Sequence, residues 1–465
     1  MKKTAFHKNT MWKNVFILGL SGIIAKLFDF CFRAYYSRML GTEGMGLLSL
    51  GFSLHGVMLT FATAGLGVAV SKTVSEYMEQ RNSGAVKACM RTSLYGVSAL
   101  SLLVMLITFL FSSSLAENVL GDIRVSASLC ALAPSIMFMG ISYCLKGFFY
   151  ASRKVVSPAL SEILEQTVKF ISIKFLLDIL LPFGIEYGCV AVFGGISIGE
   201  LSSCLFLTLI YHKKEKQLEK TDNSCKKITQ KELVCKLLGV SIPSMITSLC
   251  CSGLRMQEEV LIVSALERGG MAHSGAISSL GVLKGMAMPL LVMPLNLLGS
   301  VLSLLVPEVS RASIRSRDSL RRAVLKTYKI GMPIGVAVGT LFLFFGGEIT
   351  KLVYGSYDAA RLVVLLAPLC PVMFADSLSS SVLNGLGKQL RMLFFTLADF
   401  CLRFTLIYFT LPKGQTTAFA IMVVASNLFT CLLSTGSVVH KIMPQRSLNS
   451  PRYKLTKEIK CGILK

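Results

Sequence analysis

The run MGLLSLGFSLHGVMLTFATAGLGVAV, residues 45–70, is 26 residues long and contains no Asp, Glu, Lys or Arg. A helix needs about 20 such residues to cross a hydrocarbon core of ~30 Å. Comparable runs recur along the chain, separated by short loops that carry Lys, Arg, Gly or Pro. Twelve spans are predicted, near 14–32, 45–70, 92–113, 125–145, 158–181, 188–210, 237–264, 275–303, 330–346, 362–382, 392–412 and 417–439. Composition agrees, since 53% of the 465 residues are hydrophobic and 16% are charged. Soluble domains carry about 25% charged residues, so too few remain here to coat a water-facing globule. The expected class is an all-α polytopic membrane protein, and soluble enzyme folds are excluded.

A net charge of +23 would suggest nucleic acid in a soluble protein. On twelve spans it means something else. Of the 48 Lys and Arg residues, 35 fall on the two tails and the loops 71–91, 146–157, 211–236, 304–329 and 383–391. The opposite loops hold 7, and 6 lie within spans. This asymmetry is the positive-inside signal. It places both termini in the cytoplasm. The basic faces then suit an anionic leaflet, and no nucleic-acid partner is expected. Lys26, Asp29 and Arg33 follow the first apolar residues with no small-residue cleavage site, so the first span reads as uncleaved. The 14 Cys residues include no CxxC pair and none in an outer loop, which leaves no disulfide framework or metal site to expect.

The polar stretch 211–236 divides the spans into six and six, and the halves align on each other. With an offset of 234, Pro134 meets Pro368, Glu165 meets Asp399 and Lys169 meets Arg403. With an offset of 229, Lys26 meets Arg255, Asp29 meets Glu258, Gly46 meets Gly275 and His55 meets Lys284. Both halves start in the cytoplasm, so the repeat is parallel. Substrate sites in such transporters lie between the halves near the midplane. The expected organisation is a six-helix lobe at 1–212, a basic cytoplasmic linker at 213–236, a six-helix lobe at 237–440 and a basic tail at 441–465.

The six bases within spans are Lys26, Lys169, Lys174, Arg255, Lys284 and Arg403. Each costs about 2.5–3.5 kcal/mol at mid-bilayer, so they must be paired, snorkelling or exposed to a water-filled cavity. Pairing at three or four residues is open to Lys26 with Asp29, Glu165 with Lys169, Lys174 with Asp178 and Asp399 with Arg403. Lys284 has no acid within four residues of its own. Together with Lys26, Arg255 and His55 it is expected to form a basic patch at the mouths of spans 1, 2, 7 and 8. A cationic cavity fits an anionic substrate, and phosphate or pyrophosphate suits Lys and Arg. Glu200 and Asp376 are isolated carboxylates, open to carrying protons or capping a neighbouring helix. There is no GxxxxGK[ST], GxSxG or HExxH. No enzyme activity and no cofactor are expected, and an ion gradient or membrane potential is the candidate driving force.

The stretch RAYYSRMLGTEGMGLLSLGFSLHGVMLTFATAGLGVAVSK, residues 33–72, resembles the stage V sporulation protein B and polysaccharide-export branch of the MOP flippase superfamily. LKGFFYASRKVVSPALSEILEQTVKF, from Leu145, and VLNGLGK, at 382–388, resemble the same branch. The resemblance implies a two-lobed, MATE-like transporter. It would move undecaprenyl-pyrophosphate-linked sugars, either a peptidoglycan precursor or a polysaccharide unit, by alternating access. Sporulation membership would point to spore-cortex peptidoglycan. In the lipid II flippases of the superfamily, cavity arginines in the first spans of each lobe matter; here that role falls on Lys26, Arg33 and Arg255. Those flippases often have fourteen spans, against the twelve counted here. The implied partners are a lipid-linked anionic saccharide, membrane lipids and cell-wall synthases. Two other functions remain open at this point: a cation-coupled multidrug exporter on the same fold, and a non-transporting membrane scaffold for cell-wall synthesis.

Overall fold

The computed structural model describes residues 2–80, 82–219, 230–302 and 316–442, and among these the chain is helix and turn, with no strand. Helix α1 (Lys2–Thr63) is two arms joined at Gly41, whose φ of 66° and ψ of −167° are not helical. A straight helix of 62 residues would be about 93 Å long, so the bend divides it into two membrane passes. The second arm was expected to reach residue 70. It stops at Thr63 because Ala64 and Gly65 take φ of 44° and 68°, which interrupts the ladder before α2 (Leu66–Glu79) restarts it. Then come α3 (Ser83–Leu110), capped by the Asn82 side chain at Ala85 N–H, α4 (Ser126–Ala151), α5 (Val156–Leu180) and α6 (Ile185–Glu219).

The second half begins with α7 (Gln230–Arg268) and α8 (His273–Leu280), which passes through a π-helical segment, Gly281–Ala287, into α9 (Met288–Leu302). It continues as α10 (Arg317–Tyr354), α11 (Ala360–Leu366), α12 (Cys370–Gly385) and α13 (Gln389–Ile442). Ten stretches of the described residues are long and apolar enough to span a membrane, and the first, Gly19–Glu79, contains both arms of α1. Helix α5 is not among them, because Glu162, Glu165, Lys169, Lys174 and Asp178 interrupt its apolar run. Its 25 residues still reach about 37 Å. With α1 counted twice and α5 added, twelve passes result. Lys146 lies on α4 rather than in the expected loop, since that helix continues to Ala151. Residues 220–229 of the central basic stretch, 304–315 of the next and 443–465 of the tail lie outside the described residues.

Helices α3–α6 pack on one another, as do α10–α13, while α1 touches both α4–α6 and α7–α9. The largest buried core runs through both halves and includes Leu48, Leu120 and Phe193 with Ile277, Leu362 and Phe419. Toward the basic loops this core splits. Val74, Phe149 and Leu207 belong to one cluster, joined by the first turns of α7, and Leu320, Leu383 and Val438 to another. The halves therefore share one interior at one end, while at the other α7 packs with the first half and α10, α12 and α13 keep a cluster of their own. Where they join, the backbones touch: a Cβ on Gly281 would stand 1.9 Å from the Thr42 carbonyl O, and one on Gly46 2.1 Å from that of Ile277.

Candidate functional site

Three predicted bases meet between the halves. Lys26 and Arg33 on the first arm of α1 share with Lys284 a cavity of about 320 Å3, lined also by Asp29, Pro289 and Asn296. The spacing 26, 29, 33 keeps the α1 residues on one helical face. Lys284 stands in the middle of the π segment, an insertion that recurs at functional positions in helices. Gly281 and Gly285 on that segment lie hard against Thr42 and Met45 of α1, which brings Lys284 close to the first half. Lys26 Nζ donates to the Asn296 carbonyl O at 2.8 Å.

The acid that Lys284 lacks on its own helix comes from α7. Its Nζ donates to Glu258 Oε1 at 2.8 Å, and the Glu258 side chain is only 2% exposed. Glu258 also accepts from Arg403 Nη1 at 3.4 Å, and Arg403 Nε pairs with Asp399 Oδ2 at 2.8 Å. Ser426 accepts from Arg403 and donates to Asp399. Charges of alternating sign, Lys284, Glu258, Arg403 and Asp399, thus run from the cavity into the second half. In the first half Lys169 donates to Glu165 at 3.4 Å on α5, and Glu200 of α6 is buried near them. Asp376 of α12 accepts from Ser434 Oγ of α13 at 2.7 Å.

Two members of the expected basic patch are elsewhere. His55 is on the second arm of α1 but faces α4, where its Nε2 lies 2.9 Å from Ser135 Oγ in a buried site. Arg255 is exposed and is not among the residues that line the cavity. It precedes Glu258 by one turn of α7, on the side toward the basic loops. The sequence reading also missed Glu259, which accepts from Ser49 Oγ at 3.1 Å and ties α7 to the second arm of α1. Its signal was the adjacent pair Glu258–Glu259 inside an apolar run, of which the repeat picked out one.

A second group of charges was missed at the end away from the basic loops. Arg124 pairs with Glu43 at 2.6 Å and with Asp122 at 2.8 Å. His273 Nε2 lies 3.1 Å from Asp122, and its Nδ1 meets Glu267. Arg38 donates to the carbonyls of Leu352 and Val353 at the end of α10. Each of these contacts except Arg124's own links the first half to the second or extends such a link. At the opposite end lies a larger cavity of about 1010 Å3, bounded by α2, α4 and the first half of α7.

Residues 11–313 match the family model described as polysaccharide biosynthesis protein. The chain is 26% identical over 449 residues to stage V sporulation protein B of Bacillus subtilis (strain 168), covering 94% of this chain and 85% of that protein. It is 20% identical over 401 residues to the lipid II flippase MurJ of the same organism, covering 81% and 73%. Among solved structures it is similar to an inward-facing multidrug resistance MATE family transporter of the MOP superfamily. That match has a TM-score of 0.70 at 15% identity over 90% of this chain and 94% of that one.

Proposed function

The chain belongs to the polysaccharide biosynthesis protein family, and from that premise we propose that it moves a polyprenyl-pyrophosphate-linked saccharide across the bacterial cytoplasmic membrane. It is a multi-pass membrane protein of the MOP flippase and exporter class rather than an enzyme. One observation carries the cargo assignment: Lys26, Arg33 and Lys284 line a single cavity between the first and second halves. Three bases against one lining acid, Asp29, leave a positive surplus that favours an anionic head group, whereas an exporter of cationic drugs would meet repulsion there. In this reading residues 1–212 and 237–440 are lobes that rock about their shared end, and both termini and the linker 213–236 are cytoplasmic. The pyrophosphate and sugars pass through the interior while the polyprenyl tail stays in lipid. In this reading Glu200 and Asp376 are the carboxylates that couple transport to an ion. The likeness to a sporulation protein and to a lipid II flippase favours a peptidoglycan precursor, with cell-wall synthases as candidate partners.

The test is flipping of a polyprenyl-pyrophosphate disaccharide in proteoliposomes. Losing one charge-assisted contact costs about 1.5–3 kcal/mol, so Lys284→Gln and Arg33→Gln should each slow transport roughly ten- to a hundred-fold. Melting of the purified variants checks that they fold. A folded double variant that transports at the parent rate rejects the reading, and transport of a cationic dye in place of the lipid would favour the drug exporter.

A further inference from the structure

The cavity at the basic-loop end, about 1010 Å3 against about 320 Å3, differs from the cationic one in chemistry as well as size. Its walls are helical stripes. Gly67 of α2 and Gly147 of α4 are so close that a Cβ on Gly147 would stand 2.6 Å from the Gly67 carbonyl O. That contact lays α2 along α4 and turns Ser71, Ser75 and Glu79, at i, i+4 and i+8, toward the cavity. Helix α4 contributes Tyr143, Lys146 and Tyr150 at i, i+3 and i+7. Ser244 and Ser248 of α7 close the third side. The two tyrosines are 45% and 39% exposed, and seven residues of helix set them about 10 Å apart along α4. Lys146 is steadied by Glu162 of α5 at 3.7 Å.

This lining has a definite preference. Lys72, Lys146 and Arg153 are matched by Glu76, Glu79 and Glu162, so neither an anion nor a cation gains from the whole. A hydrocarbon tail would have to desolvate all six. What fits is a neutral ligand with many hydroxyls and a few apolar faces. The C–H face of a pyranose lies on a tyrosine ring, while its hydroxyls donate to carboxylates and accept from ammonium and serine groups. The volume is at the upper end of the range for ligand sites, about 300–1,000 Å3.

We propose that this cavity is the saccharide subsite of the transported head group. Tyr143 and Tyr150 form its stacking platform, and the pyrophosphate is held separately at Lys26, Arg33 and Lys284. The inference rests on the function proposed above and gives the sugars a place of their own. It also supplies a release step: α2 and α4 belong to the first half and α7 to the second, so rocking of the halves takes the subsite apart.

The experiment measures binding of two probes to the full-length protein in detergent, bare polyprenyl pyrophosphate and the same lipid carrying an N-acetylated disaccharide. The parent should bind the glycosylated lipid more tightly. The double variant Tyr143→Ala, Tyr150→Ala should lose that preference, weakening the glycosylated lipid about tenfold and leaving the bare lipid unaffected. Tyr143→Phe, Tyr150→Phe should keep most of the preference, because the ring face is retained. Ser248→Trp, which fills the cavity from its third wall, should exclude the glycosylated lipid alone, and it serves if the alanine pair folds poorly. Lys284→Gln should weaken both lipids by the same factor. Equal binding of the two lipids by the parent, or a preference that survives in the folded alanine and tryptophan variants, overturns the subsite and leaves the proposed function standing. A parent that binds neither lipid overturns both.

Discussion

Glu258 is the carboxylate on which two bases depend, since Lys284 and Arg403 both reach it and its own side chain is sealed from water. Glu258→Gln keeps the shape and removes the charge, leaving Lys284 uncompensated and Arg403 with Asp399 alone. Removing one partner of a buried pair typically costs about 3–5 kcal/mol, so this variant should melt well below the parent in detergent. Lys284→Gln should melt closer to the parent, because its side chain reaches the cavity, and should fail in transport instead. Equal melting of the Glu258 variant and the parent would show that the pair contributes little to folding. Lys284 was legible in the sequence because a charge in an apolar run stands out, and Glu258 because the repeat set it against Asp29. Their bond was not legible, since the partners are 26 positions apart on different helices. Glu43, Asp122, Arg124 and His273 were harder still. Each reads as an ordinary solvated loop charge, and only the fold brings them together.

Two glycines separate strain from space at the scale of the helix. Gly41, at the bend of α1, has a φ of +66° and nothing within 4 Å of an added Cβ. Gly41→Ala should therefore cost only backbone strain, about 1–3 kcal/mol for a conformation that is essentially restricted to glycine, seen as a fall in melting temperature. Gly281 has an ordinary helical φ of −61°, but its Cβ would collide with the Thr42 carbonyl O. Gly281→Ala forces two backbones apart, and overpacking of that kind costs about 1–3 kcal/mol or more. The second variant should lose more stability than the first and should also disturb transport, since Lys284 rides on the same segment. The reverse order in melting would mean that the two halves are not packed here as described. Hydropathy found the spans, yet it ran the second one through to residue 70, because Ala64, Gly65 and Leu66 are as apolar as the helix around them. What ends that arm is a pair of positive φ angles, to which a count of apolar residues is blind.

For the whole molecule, orientation is the first expectation to check. In a background without native cysteines, single cysteines placed in 213–230 or 441–460 should label only after the cells are permeabilised. Labelling in intact cells would invert the topology and the direction of transport. Acid stability is the second. Burial alone would raise the Asp122 carboxyl, but the hydrogen bonds and charge of Arg124, with His273, outweigh it and hold the group below its usual value. A carboxyl depressed in this way contributes stability that is present above its ordinary value of about 4 and lost as pH falls through the depressed one. Glu43 and Glu267 complete the set of charges around it. The parent should therefore lose melting temperature more steeply than Asp122→Asn as pH drops below about 4, and parallel curves would remove Asp122 from the account. The placement of these ties has a further consequence. Arg124, Glu43, His273 and Glu267 are partly exposed at one end of the molecule, whereas Glu258 is sealed from bulk solvent. Mobile ions screen charges beyond about 8 Å at 0.15 M and about 3 Å at 1 M, but only in the compartment that holds them. Concentrated salt on that side of oriented vesicles should loosen the clasp and change the turnover rate, while the same salt on the other side should not. The protein would then respond to the ionic strength of a single compartment, a rectified response that a symmetric pore cannot give.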